Sequence, residues 1–348
     1  MIIQTKGYSR VALLGNPSDG FEGKTIGCLI RNFSATVDAW ESPELRIYPN
    51  PEHDPTQFES LTSLRDTASV QGYYGGMRLI LAASKRFADM CVDRGIHIPA
   101  RNFTIRYDTD IPRQVGLAGS SAIITAAFQT LMQMYNVPPG AIPMAELPNL
   151  ILQVETEELD IQAGLQDRVI CVYGGLVYMD FSAELLAEKG HGDYVRLDPD
   201  LLPPLFIAWG SPAGESGKAH SPIRTLWEHG DETARAAMTQ FAEHAAEGWE
   251  VLRERDRVRL GELMNASFDL RLSLYGPEVL GRQTMRLVEI ARAHGCPAKL
   301  PGSGGAIVGL MPDSDDEWRT LVNAYTNEGF AIQEASIDHP DNIRGANS

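Results

Sequence analysis

Residues 110–132 read DIPRQVGLAGSSAIITAAFQTLM, a run of proline and glycine that turns apolar at Ser120 and Ser121. Gly116 and Gly119 let backbone amides approach an anion with no Cβ in the way. The spacing predicts a helix over 122–135, whose start offers unpaired N–H groups and a partial positive charge. Together these make a phosphate cradle. Ser120 and Ser121 can cap the helix, bond a phosphate oxygen or ligate Mg²⁺ through a hydroxyl. The same residues also suit an ordinary helix start with no ligand. The pattern is neither a P-loop nor a dinucleotide-binding fingerprint.

Three more stretches carry polar chemistry. In QVETEELDIQAGLQDRVICVYGG, Glu155 and Asp167 lie twelve positions apart, one on a predicted helix and one beyond a glycine-bearing turn. A kinase acting on a hydroxyl needs a carboxylate to orient or deprotonate the nucleophile, and usually another to hold Mg²⁺. Glu157, Glu158 and Asp160 read instead as a solvated helix face. KLPGSGGAIVGL, from Lys299 to Leu310, is a second glycine-serine loop, fit to cover phosphates or simply to turn the chain. In SRVALLGNPSDGFEGK, Arg10 sits on an expected strand, with Asn16, Asp19 and Lys24 on the loop after it.

The elements that must position these residues follow from periodicity. Strands are expected in SRVALLG, KTIGCLIRNFSATVDAW, FTIRYDTDI and LFIAW. Helices are expected in GGMRLILAASKRFADMCV and LPNLILQVETEELDIQ, with DRVICVYGGLVYMDFS read as helix or strand leading into a strand. Beyond LDPDLLPPLFIAWGSP, where the pattern changes, further helices, the second glycine loop and a closing helix–strand pair follow. The domain boundary is placed there, giving residues 1–200 and 201–348, with the second half an α+β sandwich.

The net charge is −16, from 30 Lys and Arg against 46 Asp and Glu, which disfavours nucleic acid and anionic membranes as partners. Four scattered cysteines without a C-x-x-C pair read as buried reduced thiols. With no signal-peptide order at the N-terminus and no long uncharged apolar run, a cytoplasmic location is expected. The histidine and cysteine pattern does not suggest zinc. Oligomeric state is left open, a homodimer included.

Taken in order and at this spacing, RVALLG, GLAGSS, AGLQDRVICVYGG and LPGSGG resemble the motifs of the GHMP small-molecule kinases, over roughly Arg10 to Ile337. LLGNPSDGFEGKTI, GYYGGMRLI, SGKAHSPIR, NASFDLRLSLYGPEVLG and GSGGAIV resemble the corresponding segments of plant glucuronokinases. The resemblance implies an α+β GHMP kinase fold. Its N-terminal ATP-binding domain would be like ribosomal protein S5 domain 2, and its C-terminal domain a ferredoxin-like α/β sandwich.

It implies ATP and Mg²⁺ as cofactors and phosphorylation of the anomeric hydroxyl of D-glucuronate. Another sugar (galacturonate, arabinose, galactose or a heptose) and a non-catalytic sugar sensor are the alternatives. By resemblance Asp167 is the catalytic aspartate with Arg10 beside it, and Gly116, Leu117, Ala118, Gly119, Ser120 and Ser121 form the phosphate loop. Ser121 and Glu155 would hold Mg²⁺, with Ser120 and Glu157 as competitors. Asn16, Asp19, Arg113, Gly302, Ser303, Gly304 and Gly305 would line the substrate, and His220 lies in a resembling segment. A uronate carboxylate should meet a guanidinium, for which Arg113, Arg78, Arg224 and Arg271 are candidates.

Overall fold

A computed structural model describes residues 2–71, 75–210 and 223–339. The chain opens with β1 (Ile2–Leu14), a short turn of 3-10 helix at Ser18–Phe21, β2 (Lys24–Glu41), β3 (Arg46–Tyr48), α1 (Leu61–Gln71), α2 (Gly76–Asp93) and β4 (Phe103–Thr109). Next come α3 (Gly119–Met134), α4 (Leu147–Thr156), α5 (Gln166–Tyr173), β5 (Leu176–Asp180), α6 (Ala183–Lys189) and β6 (Asp193–Leu197). The remainder is β7 (Leu205–Trp209), α7 (Ile223–Glu228), α8 (Glu232–Glu254), α9 (Arg257–Leu280) and α10 (Arg282–Ala293). It closes with β8 (Ala298–Lys299), β9 (Ala306–Leu310), α11 (Asp315–Asn327) and β10 (Ala331–Glu334).

These elements form two compact units. Of the described residues, those in 2–9, 32–112 and 118–172 form the first, and those in 10–31, 113–117 and 173–339 the second. In the first unit, the later half of β2 pairs antiparallel with β4, from Ala35 opposite Thr109 to Glu41 opposite Phe103, and β3 lies parallel to β4. Ala35, Val37 and Ala39 are buried while Thr36, Asp38 and Trp40 between them are more exposed, so burial of one face sets the register. α3 is buried on nearly every side, as its continuous apolar run requires. Phe87 of α2 meets Phe128 edge-on, with centroids 6.2 Å apart, and stacks on Tyr135 at 5.8 Å. Gly7 of β1 brings backbone against α3: a Cβ there would lie 2.1 Å from the Ala122 carbonyl oxygen.

In the second unit the first half of β2 pairs antiparallel with β5, and β5 with β6. A second sheet, in the order β10–β7–β9–β8, is antiparallel throughout. Its strands run β7, β8, β9, β10 in the chain with helices after the first and third, the βαββαβ plan of a ferredoxin-like sandwich. Phe206, Leu287, Leu321 and Tyr325 fill its core, and the Tyr325 hydroxyl donates to the Leu287 carbonyl at 2.6 Å.

Several elements depart from the sequence expectation. α3 starts at Gly119, ahead of Ala122. α4 stops at Thr156, because Asp160 turns to φ +54° and the Ile161 N–H returns to the Glu155 carbonyl at 2.8 Å. The segment 166–173, read as helix or strand, is helix. β3, α1, α6 and β6 carry too short or too mixed a pattern to announce themselves. All four cysteines are buried and free. Among the described residues, no helix is long and apolar enough to cross a membrane.

Candidate functional site

In the first unit the start of α3 is the feature that stands apart. Ala118 precedes it in the left-handed region, φ +61°, and among the described residues no side chain caps it. A non-glycine residue held there costs on the order of 1 kcal/mol. Ser120 and Ser121, expected as possible caps, instead occupy the first helical turn. The first helical hydrogen bond runs from the Ala122 N–H to the Ala118 carbonyl at 3.0 Å, so the amides before it have no partner along the helix. Ser121 is 0% exposed and its Oγ has no hydrogen-bond partner, a burial that costs about 1–3 kcal/mol. Gly119 has ordinary helical φ, and a Cβ added to it would meet only the Ile111 methyl at 3.5 Å. Neither space nor conformation requires glycine at 119. Strain, unpaired amides, an orphaned hydroxyl and an unexplained glycine thus coincide over four residues, as expected where a ligand supplies the missing partners.

The end of α4 and the start of α5 add the carboxylates. Glu155 is 4% exposed and forms an ion pair through Oε2 with Nη2 of Arg168, itself 3% exposed. Arg168 Nη1 donates to the Gly164 carbonyl at 2.7 Å and stands 3.8 Å from Asp167 Oδ2. Asp167, in the first turn of α5, keeps 18% of its side chain exposed. Arg168 therefore links the two acidic residues singled out in the sequence, a role the sequence reading missed. Its only local signal is its place directly after Asp167. Glu157, Glu158 and Asp160, expected on a solvated helix face, lie beyond the end of α4: Glu157 is exposed and pairs with Arg86 at 3.2 Å, and Glu158, its side chain 13% exposed, pairs with Lys85 at 2.9 Å.

No cluster of three metal-ligating side chains occurs among the described residues. Mg²⁺ does not require one, since it is held through one or two protein oxygens together with substrate phosphates and water. The Ser121 hydroxyl, buried and without a hydrogen-bond partner, has the free lone pairs such a ligand needs. Glu155 fits it through the oxygen that Arg168 leaves unpaired.

In the second unit the two glycine loops serve each other. A Cβ on Gly302 would lie 2.2 Å from the Gly116 carbonyl oxygen, and one on Gly116, at φ +76°, would lie 2.9 Å from the Ser303 nitrogen. Ser303 is exposed, while Gly304 and Gly305 complete the turn, Gly305 against Gln114 and Val115. Arg10, 3% exposed, joins both loops: its Nη1 donates to the Gly116 carbonyl at 2.8 Å and to the Pro301 carbonyl at 2.7 Å. Leu117 closes the first loop by accepting from the Arg10 N–H at 3.4 Å.

Asn16 is expected to face a sugar, but the structure gives its side chain to the protein. It is 2% exposed, donates to the Leu300 carbonyl at 3.3 Å and accepts from Lys299 Nζ. Lys299 also donates to the Leu300 carbonyl at 2.9 Å and to the Ala12 carbonyl at 3.2 Å. Burial, helped by the charges of Arg271 and Arg10, holds its ammonium well below the usual lysine pKa. Asp19, half-buried in the turn at Ser18–Phe21, acts electrostatically on Arg271 and Tyr275. Arg224 is committed to that turn through the Gly20 carbonyl at 3.0 Å and the face of Phe21 at 5.1 Å. Arg113 lies in the first glycine loop and Arg78 on α2, both with partners. His220 falls outside the described residues.

Comparison with known proteins extends these observations. The sequence model of the GHMP kinase N-terminal domain matches residues 78–175, and that of the C-terminal domain matches 250–321. The chain is 44% identical to the probable glucuronokinase 2 of Arabidopsis thaliana over 337 residues, covering 97% of this chain and 92% of that protein. It is 43% identical to glucuronokinase 1 of the same plant, over 96% of this chain and 92% of that one. Its fold matches a crystal structure of mevalonate kinase with a TM-score of 0.69, at 18% identity, over 97% of this chain and 99% of the other.

Proposed function

The chain belongs to the GHMP kinase family, and from that premise we propose that it transfers the γ-phosphoryl group of ATP to the anomeric hydroxyl of D-glucuronate, giving glucuronate 1-phosphate and ADP. The substrate is carried over from the two Arabidopsis glucuronokinases, which match almost end to end. The observation that carries the chemistry is the start of α3, with its left-handed Ala118, uncapped amides and partnerless Ser121 hydroxyl. An ATP phosphate fits these features through N–H donors and the helix dipole.

In this reading Asp167 orients the 1-hydroxyl and accepts its proton as the oxygen attacks phosphorus. Arg168, buried behind it, holds the carboxylate in place and balances Glu155. Arg10 stabilises negative charge on the group in flight while bracing the two glycine loops. Residues 116–121 receive the phosphates, and Ser121 and Glu155 hold Mg²⁺. When bound, the ion neutralises charge on the transferring phosphates. Asp19, Arg113 and the turn at Gly302–Gly305 shape the sugar side, and Asn16 supports that side from within, through Lys299. The two matched family segments lie on either side of the expected division into residues 1–200 and 201–348, although residues 10–31, 113–117 and 173–200 belong to the second compact unit.

The test is ATP consumption by the purified protein with Mg²⁺ across free sugars and uronic acids, with the product identified by mass and by loss of the reducing end. Turnover confined to glucuronate is expected. Turnover of galacturonate, arabinose, galactose or a heptose instead would keep the kinase and replace the substrate. ATP binding without turnover of any of them would overturn the enzymatic reading in favour of a sensor.

A further inference from the structure

Within the second unit, the cations around the glycine loops differ in how they are used: Arg10 and Lys299 are buried, while Arg224 and Arg271 are partly buried. Arg10 is tied to the Gly116 and Pro301 carbonyls. Lys299 has three acceptors, at Ala12, Asn16 and Leu300. Arg224 holds the Gly20 carbonyl and covers Phe21, and its Nη1 stands 3.7 Å from Glu228. Arg271, on α9, is the exception. Its guanidinium sits 5.6 Å from the centre of the Tyr275 ring, its Nε is buried without a hydrogen-bond partner, and it forms no ion pair with the described residues. A guanidinium has five N–H donors and no means of shedding its charge, so such a placement needs an acceptor from elsewhere.

The surroundings indicate what that acceptor is. Tyr275 and the preceding turn of α9, through Leu270 and Leu274, pack with Phe21 and Trp227 against a small apolar cluster around Phe241. This cluster anchors the same turn that carries Asp19, so Arg271 and the expected sugar-binding carboxylate belong to one neighbourhood. Burial lowers the Arg271 pKa, and the Arg10 charge adds to the effect, while Tyr275 and Asp19 oppose it. An incoming anion would relieve this excess of positive charge. Of the other two guanidinium candidates, Arg78, on α2 of the first unit, also has a buried Nε that makes no hydrogen bond, but it and Arg113 each have partners of their own.

We propose that Arg271 is the residue that reads the substrate's carboxylate, forming a two-pronged guanidinium–carboxylate pair that selects a uronic acid over the neutral sugar. The assignment rests on the glucuronate reading above. It gives Asp19 the complementary task of accepting from sugar hydroxyls. It also explains why Arg224, although nearer the turn, is not the selector.

The experiment is a cycle of two enzymes and two substrates. Wild type and Arg271→Gln are each assayed with glucuronate and with glucuronamide, in which a neutral amide replaces the carboxylate, and the KM for ATP is followed throughout. Arg271→Gln should lower kcat/KM for glucuronate on the order of 100-fold, the size expected on removing one partner of a desolvated charge pair. The loss on glucuronamide should be at least tenfold smaller, and Arg271→Lys should recover part of the loss on glucuronate. Equal losses on both substrates in the folded variant would overturn the assignment while leaving the kinase reading intact. A rise in the KM for ATP with no change in that for glucuronate would also overturn it, by making Arg271 a phosphate contact. No turnover of glucuronate by the wild type would overturn the substrate reading and this assignment with it. Melting curves of both variants separate these outcomes from a failure to fold.

Discussion

Two glycines of the candidate site should respond in opposite ways to the same added methyl group. At Gly302 the new Cβ would lie 2.2 Å from the Gly116 carbonyl oxygen. That is about 1 Å inside a close C···O contact of roughly 3.3 Å. Both sides are backbone, so the two loops must separate. Overpacking of this kind costs about 1–3 kcal/mol. The displaced oxygen also accepts from Arg10 at 2.8 Å, and weakening a hydrogen bond from a charged donor adds about 1.5–3 kcal/mol. Gly302→Ala should therefore destabilise the protein by about 2.5–6 kcal/mol.

Gly119 lies in the first turn of α3 with helical φ, and its Cβ would meet only Ile111 at 3.5 Å. Gly119→Ala should leave stability unchanged or raise it by about 0.5–1 kcal/mol. The methyl would stand where the α3 amides meet a phosphate, so the KM for ATP should rise about tenfold or more, as for a steric cost of about 1–3 kcal/mol. Thermal melting and ATP saturation curves of the two variants decide the matter. A Gly302→Ala protein that melts like the wild type would refute the loop-against-loop account. A Gly119→Ala protein with an unaltered KM for ATP would refute the placement of phosphate at the start of α3.

Asp167→Asn should reduce kcat by about 10²–10⁴-fold while ATP binding persists, measured by single-turnover kinetics and nucleotide titration; a near-normal rate would remove Asp167 from the chemistry. Ser121→Ala deletes a buried hydroxyl with no partner and should not destabilise the fold, yet it should raise the Mg²⁺ concentration needed for half-maximal rate. An unshifted Mg²⁺ titration would leave the ion to other oxygens. Arg168→Met strands the buried Glu155 carboxylate and should cost about 3–5 kcal/mol in denaturant unfolding. Adding Glu155→Gln should restore much of that loss.

His244 is 8% exposed, with Nδ1 3.0 Å from Ser267 Oγ. Burial lowers its pKa from 6.5; Lys299 and Arg259 act in the same direction, and Glu247 and Glu243 against it. The unfolded chain therefore takes up a proton near pH 6.5 that the folded one resists, and stability falls as the pH drops through that value. Melting temperatures between pH 8 and pH 5 should show this fall in the wild type and a shallower one in His244→Gln.

Much of this protein is legible in the order of its residues. Alternating burial in β2, the apolar run of α3 and the glycine-punctuated loops follow from local periodicity and from the conformational demands of single residues. These are short-range properties, and they locate both glycine motifs and the acidic pair of Glu155 and Asp167. The partner of each charge is a different matter. The sequence places Asn16 among sugar-facing groups, yet Lys299, 283 positions away, takes its side-chain oxygen. It offers four arginines of equal standing for a carboxylate, and only packing separates Arg224, held by Gly20 and Phe21, from Arg271. Arg168 gives no sign in the sequence that it will be buried against Glu155 rather than exposed. Periodicity reports which way a residue faces within its own element. Which buried charge finds a partner depends on groups brought together from distant parts of the chain, and that only the tertiary structure decides.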